Sequence, residues 1–167
     1  MAGAVALVAS LVSGCTGEPA AAPSSDTSAG AAADQPVRLK AVPRTVPAVC
    51  TELLARLPAA VADQGRRGVS PRGAPGAAWG DPAITLVCGV EEPPGFDDVA
   101  SCLTVNGVDW YIPTEQLEAQ GDLTMTAVNR QVSVEVRLPA AYFPPATTLV
   151  DLARPVRQSI PATGACI

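Results

Sequence analysis

Apolar and polar positions change their spacing several times along the chain, and each change marks an element or a boundary. Residues Ala2 to Val12 form an apolar run with no charge and little that is polar. About a dozen such residues fall short of the roughly 20 that a helix needs to cross hydrocarbon, so the run reads as the apolar core of a secretory signal. From Thr16 to about Val46 large apolar side chains nearly vanish. That stretch cannot bury enough surface to offset its chain entropy, which predicts a disordered tether over residues 16–46 with a reach of roughly 30 Å.

The folded part is expected to open at Pro47. Val49, Cys50, Leu53, Leu54 and Leu57 recur at helical spacing, with Glu52 and Arg56 offset by four on the outer face. Pro58 ends that helix or interrupts it before Val61. A Gly/Pro/Arg loop from Gly65 to Gly76 follows, with room for a short strand near Arg67 to Ser70.

The period then shortens to two. Ala77 to Trp79 and Ile84 to Gly89 read as strands around the turn Gly80-Asp81-Pro82. Cys102 to Val105 and Val108 to Ile112 flank Asn106-Gly107, a strong hairpin signal because both residues accept the positive φ of a type I′ turn. Thr114 to Ala119 fits one helical turn. Leu123 to Val128 and Val132 to Leu138 alternate around Asn129-Arg130 and predict a second hairpin. Thr147 or Thr148 is placed to cap a last helix towards Ile160, which Pro155 should bend or split. The expected architecture over residues 47–167 is one α+β domain. Its antiparallel sheet has about five or six strands, with a helix near each end of the domain.

Composition narrows the function classes. Roughly 120 residues outside the leader and tether are enough for one domain with a real core. The net charge of −5 comes without blocks of like charge, so neither nucleic acid nor anionic headgroups are implied as partners. Histidine is absent, which removes Ser-His-Asp and Cys-His catalysis. Lys40, the sole lysine, falls in the tether and cannot serve a Ser-Lys dyad. Neither a Gly-x-Ser-x-Gly elbow, a phosphate-binding glycine loop, a dinucleotide fingerprint nor a Cys-x-x-Cys pair occurs. No cofactor is expected.

The apolar run closes as Leu11-Val12-Ser13-Gly14-Cys15, the pattern of a bacterial lipobox. Small residues let a peptidase fit the extended backbone, and the Cys15 thiolate is the group that diacylglycerol alkylates. Residues 1–15 are therefore expected to be a lipoprotein signal peptide that leaves Cys15 as an acylated N-terminus on the outer face of the cell membrane. Two or more acyl chains hold a protein stably, whereas one gives marginal binding. The first basic residue is Arg38, so a basic n-region is missing; either the leader is weak or translation starts further upstream, and the upstream start is favoured.

Four further cysteines, Cys50, Cys88, Cys102 and Cys166, form an even set in an exported chain and predict two disulfides. Three pairings are possible. Cys88 and Cys102 lie near the ends of consecutive predicted strands, which favours joining them and leaves Cys50 for Cys166. The spacing does not fit structural zinc.

The order of these features resembles a family of actinobacterial envelope lipoproteins catalogued as a domain of unknown function (DUF3515-like). The shared landmarks are the lipobox, an early helix with one cysteine, and Ala77-Ala78-Trp79-Gly80-Asp81-Pro82 running into Leu86-Val87-Cys88-Gly89-Val90. Cys102 to Val105 with Asn106-Gly107-Val108-Asp109-Trp110, and Pro161-Ala162-Thr163 before Cys166, complete the set. The resemblance implies location and fold, and brings no activity, cofactor or catalytic residue.

Candidate sites are few. Asp109-Trp110-Tyr111 places aromatics beside a carboxylate, the chemistry of sugar recognition, against the alternative of a strand whose Trp110 faces the core. Trp79-Gly80-Asp81-Pro82 offers Trp79 and Asp81 to a ligand, or packs Trp79 and turns the chain. Glu91, Glu92, Asp97 and Asp98 lack the alternation of a calcium loop and read as solvated. Glu115, Glu118 and Asp122 could supply the acid pair of a glycosidase, with little specificity. Ile160-Pro161-Ala162-Thr163-Gly164 looks like a sorting signal without the apolar segment and basic tail one requires. The expected function is a non-enzymatic binding or accessory module of the envelope, with an envelope protein or wall polysaccharide as partner. The alternative is a carboxylate-dependent hydrolase of a wall glycan.

Overall fold

The structure is a computed structural model that describes residues 35–40, 42–97 and 99–166. Its elements are β1 (Val37–Arg38), α1 (Ala48–Arg56), β2 (Ala60–Val61), β3 (Gln64–Arg67), β4 (Val69–Ser70), β5 (Gly76–Trp79) and β6 (Ile84–Val90). β7 (Leu103–Val105), β8 (Val108–Tyr111), α2 (Thr114–Ala119), β9 (Leu123–Ala127), β10 (Ser133–Leu138), a 3-10 turn (Ala140–Tyr142) and α3 (Ala146–Ser159) follow. An eight-stranded antiparallel sheet runs in the order β2-β3-β5-β6-β10-β9-β8-β7, and β1 pairs in parallel with β4 beside it. The sheet exceeds the expected strand count because β2 has only two residues and β3 is short and polar, with no alternation to announce either.

β10 shows how the sheet is built. Val134, Val136 and Leu138 are buried while Ser133, Glu135 and Arg137 are half-buried on the other face. The buried side meets α1 through Cys50 and Leu53, and α3 through Leu149, Leu152, Ala153 and Val156. That stripe on α3 explains why Pro155 does not split the helix. The proline forfeits one main-chain bond, but apolar packing on both sides of it keeps the helix continuous to Ser159. Thr148 does not cap this helix: it is fully buried, and Pro145 occupies the cap position without a side-chain hydrogen bond. The first hairpin forms as read, with Asn106 at φ 48° and Gly107 at φ 77°.

The disulfides correct the expected pairing. They join Cys50 to Cys88, with Cα atoms 5.7 Å apart, and Cys102 to Cys166, at 6.1 Å. Cys88 and Cys102 lie on strands consecutive in sequence, but β10, β9 and β8 stand between β6 and β7. Four strand spacings make about 19 Å, far beyond the roughly 7 Å that a disulfide can bridge. Cys88 instead faces α1 across the core. Gly89 permits that approach: a Cβ there would meet Pro47 Cδ at 3.0 Å and Cys50 Sγ at 3.5 Å.

Order also begins before Pro47. Val37 N–H donates to Gly68 O at 2.8 Å and Leu39 N–H to Ser70 O at 2.9 Å. Leu39 is 5% exposed and packs on Ala74 and Val87. One well-placed leucine and a strand edge are enough to hold a segment whose composition alone reads as tether.

Candidate ligand-binding groove

With both long helices on one face of the sheet, the opposite face keeps its polar side chains. Strand register aligns Val87, Glu135, Thr126 and Tyr111 in one row across β6, β10, β9 and β8. Thr85, Arg137 and Thr124 form the next row, about 7 Å along the strands. A bulge at Gly89 (φ 82°) lets Cys88 pair with Val134 while Val90 pairs with Ser133. The extra residue reverses the alternation, so Val90 joins Val87 beneath Leu39.

Residues 37–40 and 42–44 form a strap over this face, and residues 42–44 wall a groove of ≈ 790 Å³ floored by Thr124, Thr126 and Glu135. Tyr111, Pro113 and Gln116 close one side, and Glu91 to Pro94 stand at its mouth. A second hollow of ≈ 280 Å³ continues past Thr124, which lines both, towards Arg38, Lys40 and Arg137. The larger groove falls within the roughly 300–1,000 Å³ of typical small-ligand sites.

The groove side chains are unevenly satisfied. Thr126 is 2% exposed, yet its hydroxyl has no hydrogen-bond partner among the described residues. Gln116 Oε1 accepts the Thr124 N–H at 2.7 Å, and the Gln116 amide NH₂ makes no bond among the described residues. Tyr111 meets Phe96 in a T-shaped contact at 5.6 Å and 61°. Its hydroxyl lies where a Cβ on Gly95 would come within 2.9 Å, so the loop needs glycine there. Glu135 Oε1 is held by Arg137 Nε at 2.7 Å.

The three residues of Asp109-Trp110-Tyr111 separate into three environments. Trp110 is fully buried in the core, and its Nε1 is without a partner among the described residues. Asp109 clamps the C-terminal segment: it accepts from Thr104 Oγ1 at 2.6 Å and from Cys166 N–H at 3.0 Å. Burial by itself pushes the Asp109 carboxyl up, but bonds from Thr104, Cys166 and Asn129 and the charge of Arg130 together hold it below its ordinary value. Burial, chiefly, lowers Arg130, which the Asp109 charge opposes and Arg157 reinforces. Around this pair, Thr163 N–H donates to Asn129 O and Gln131 N–H to Pro161 O, so the segment that looks like a sorting signal is stitched to the β9–β10 turn. Only Tyr111 of the three reaches the groove.

The other candidates disperse. Trp79 is fully buried and donates from Nε1 to Pro58 O at 3.1 Å, while Asp81 lies 3.6 Å from Arg67. Asp122 accepts from Ala140 N–H at 2.9 Å, and Glu115 and Glu118 are exposed. Asp97 accepts from Val99 N–H within its own loop. Asp98 and Cys15 lie outside the described residues. Among the described residues no three acidic or cysteine side chains gather where they could hold a metal ion. Thr124, Thr126, Glu135 and Gln116 were not singled out from sequence. The signal for three of them was the polar phase of two well-alternating strands.

These features define an α+β domain stapled by two disulfides, with helices on one face of an antiparallel sheet and a strapped polar groove on the other. The chain belongs to the family described as Protein of unknown function (DUF3515), which it matches over residues 2–165. No curated protein and no solved structure gives a significant match.

Proposed function

We propose that the protein is a non-enzymatic, lipid-anchored binding module of the cell envelope, tethered through Cys15 on the outer face of the membrane, with the strapped groove as its ligand site. The observation that carries this reading is the strapped groove itself, whose floor presents the Thr126 hydroxyl without a protein partner. A hydroxyl both donates and accepts, and one without a protein partner on a concave surface is open to a ligand's hydrogen bond. Two disulfides suit an oxidising compartment, and the lipobox spacing supports the anchor. The test is Cys15→Ala, followed by membrane fractionation and mass measurement of the N-terminus. Release of the domain or retention of the leader is expected; unchanged membrane partition with normal processing would defeat the anchor.

A second reading, carboxylate-dependent glycan hydrolysis, draws on Glu91, Glu92 and Glu135 sharing one groove. Glu135 already accepts from Arg137, the arrangement of a structural acceptor rather than of a proton donor. Release of reducing ends from isolated wall material, abolished by Glu91→Gln with Glu92→Gln, would establish it over simple binding.

A further inference from the structure

Recognition on the groove floor falls to side chains, because the backbone of the floor strands is already spent. β6, β10 and β9 are each paired on both sides, so their N–H and C=O groups are committed to the ladder and cannot add a peptide strand. What remains exposed to an occupant is a particular set: the hydroxyls of Thr124, Thr126 and Tyr111, the Gln116 amide, and the carboxylates at Glu91 and Glu92. Thr126 has a buried body and an unpartnered hydroxyl, and Gln116 is held in place by its bond to the Thr124 main chain. Prolines 43, 93, 94 and 113 add rigid, weakly apolar walls.

Each ligand class meets this set differently. In the larger hollow an anionic ligand would face Glu91, Glu92 and Glu135 against Arg44, since Arg137 is occupied by Glu135; Arg38 and Lys40 line only the second hollow. A lipid tail would have to desolvate the polar floor, at the cost of its unpaired hydroxyls and amide. An apolar peptide anchor would find no deep pocket lined by large aliphatic side chains. A chain of sugar rings satisfies all of it. Its hydroxyls both donate to carboxylates and accept from hydroxyl and amide groups, while its C–H faces lie against Tyr111 and the prolines.

We infer that the groove binds a short, uncharged or amino-substituted stretch of a glycan, with Thr126, Gln116 and Tyr111 as the recognising side chains. This rests on the groove being the ligand site of a binding module, and it adds the ligand's chemistry. The open run of the groove past Thr124 towards Arg38 and Lys40 suits a polymer that enters and leaves rather than a small molecule that is enclosed.

The test is calorimetric titration of the whole chain, purified in mild detergent, with defined oligosaccharides: N-acetylglucosamine oligomers, their de-N-acetylated counterparts and glucose oligomers. Proline-rich and cationic peptides of similar length serve as competitors. Saturable binding of at least one oligosaccharide series is expected, with affinity rising with chain length. Thr126→Val should weaken it at least tenfold and Tyr111→Ala more, whereas Tyr111→Phe separates loss of the hydroxyl from loss of the ring. Thr126→Val keeps shape and strand preference, so an unchanged melting curve shows that the loss is one of recognition. Folded protein that binds none of the saccharides, or binds them indifferently to these substitutions, overturns the inference. Should the peptides bind in the groove instead, the glycan assignment fails while the binding module stands. If neither class binds there, both readings fall.

Discussion

Replacing Leu39 with alanine should free the strap while leaving the sheet-and-helix body folded. Leu39 is 5% exposed and is the strap's main apolar anchor, seated on Ala74 and Val87. The seat is tight, since a Cβ on Gly76 would come within 2.6 Å of Leu39 Cδ1. The substitution removes three carbons, worth about 2.4 kcal/mol at roughly 0.8 kcal/mol per buried methylene, within the range found for Leu→Ala at buried sites. The main-chain bonds to Gly68 and Ser70 and the bond from Arg67 Nη2 to Gln35 O at 3.0 Å remain, but all depend on the segment staying down. A shift of 2.4 kcal/mol raises the undocked population about 60-fold. Trypsin reads that population directly, because Lys40 lies on the strap and cleavage follows the open fraction when opening is fast. Cleavage after Lys40, normalised to the urea-unfolded chain, should accelerate by tens of fold in Leu39→Ala, with little change in the melting temperature of the body. Equal cleavage rates in both proteins would refute the packing argument. A large loss of melting temperature with strap cleavage unchanged would show that the strap and body unfold only together.

Asp109→Asn should cost about 1 kcal/mol at neutral pH by weakening the clamp on the C-terminal segment. Because Asp109 is held below its ordinary value of 3.8, its contribution is complete above that value and disappears as pH falls through the lowered one. Denaturant melts of the two proteins should therefore converge with acidification below 3.8; a gap that widens there would reverse the assignment. Cys50 and Cys88 are fully buried while Cys102 and Cys166 are half-buried, so mild reductant without denaturant should open the C-terminal disulfide first, as mapped by alkylation and mass spectrometry. Replacing Cys50 and Cys88 together by alanine should cost about 4 kcal/mol from the loop they close. Preferential reduction of that inner disulfide would contradict its burial.

Much of the fold was legible because the strands of the sheet's second half alternate cleanly and their turns carry residues suited to positive φ. Val134, Val136 and Leu138 announce the core, and Asn106-Gly107 announces its hairpin. What sequence could not supply was the order in which hairpins pack. The β9–β10 hairpin inserts beside β6, and that single topological fact reassigns both disulfides. The strap was hidden for a different reason: its stability comes from one buried leucine and a few bonds to Gly68, Ser70 and Arg67, which composition averages away. The groove was half visible. Tyr111 was marked by its aromatic ring, but Asp109 beside it serves the C-terminal clamp, and neighbours in sequence on a strand need not share an environment. Thr124, Thr126 and Glu135 become a site only once the register sets them beside Tyr111 and Arg137.

Whether the strapped sheet face is the ligand site can be read out by photo-crosslinking in living cells. A photoreactive amino acid replaces Thr124, which lies where the two hollows meet, and in a second strain replaces Val150, half exposed on α3 on the far side of the sheet. Ligand should become joined to the protein from position 124 and not from position 150. Equal capture from both positions, or capture from position 150 alone, would contradict it.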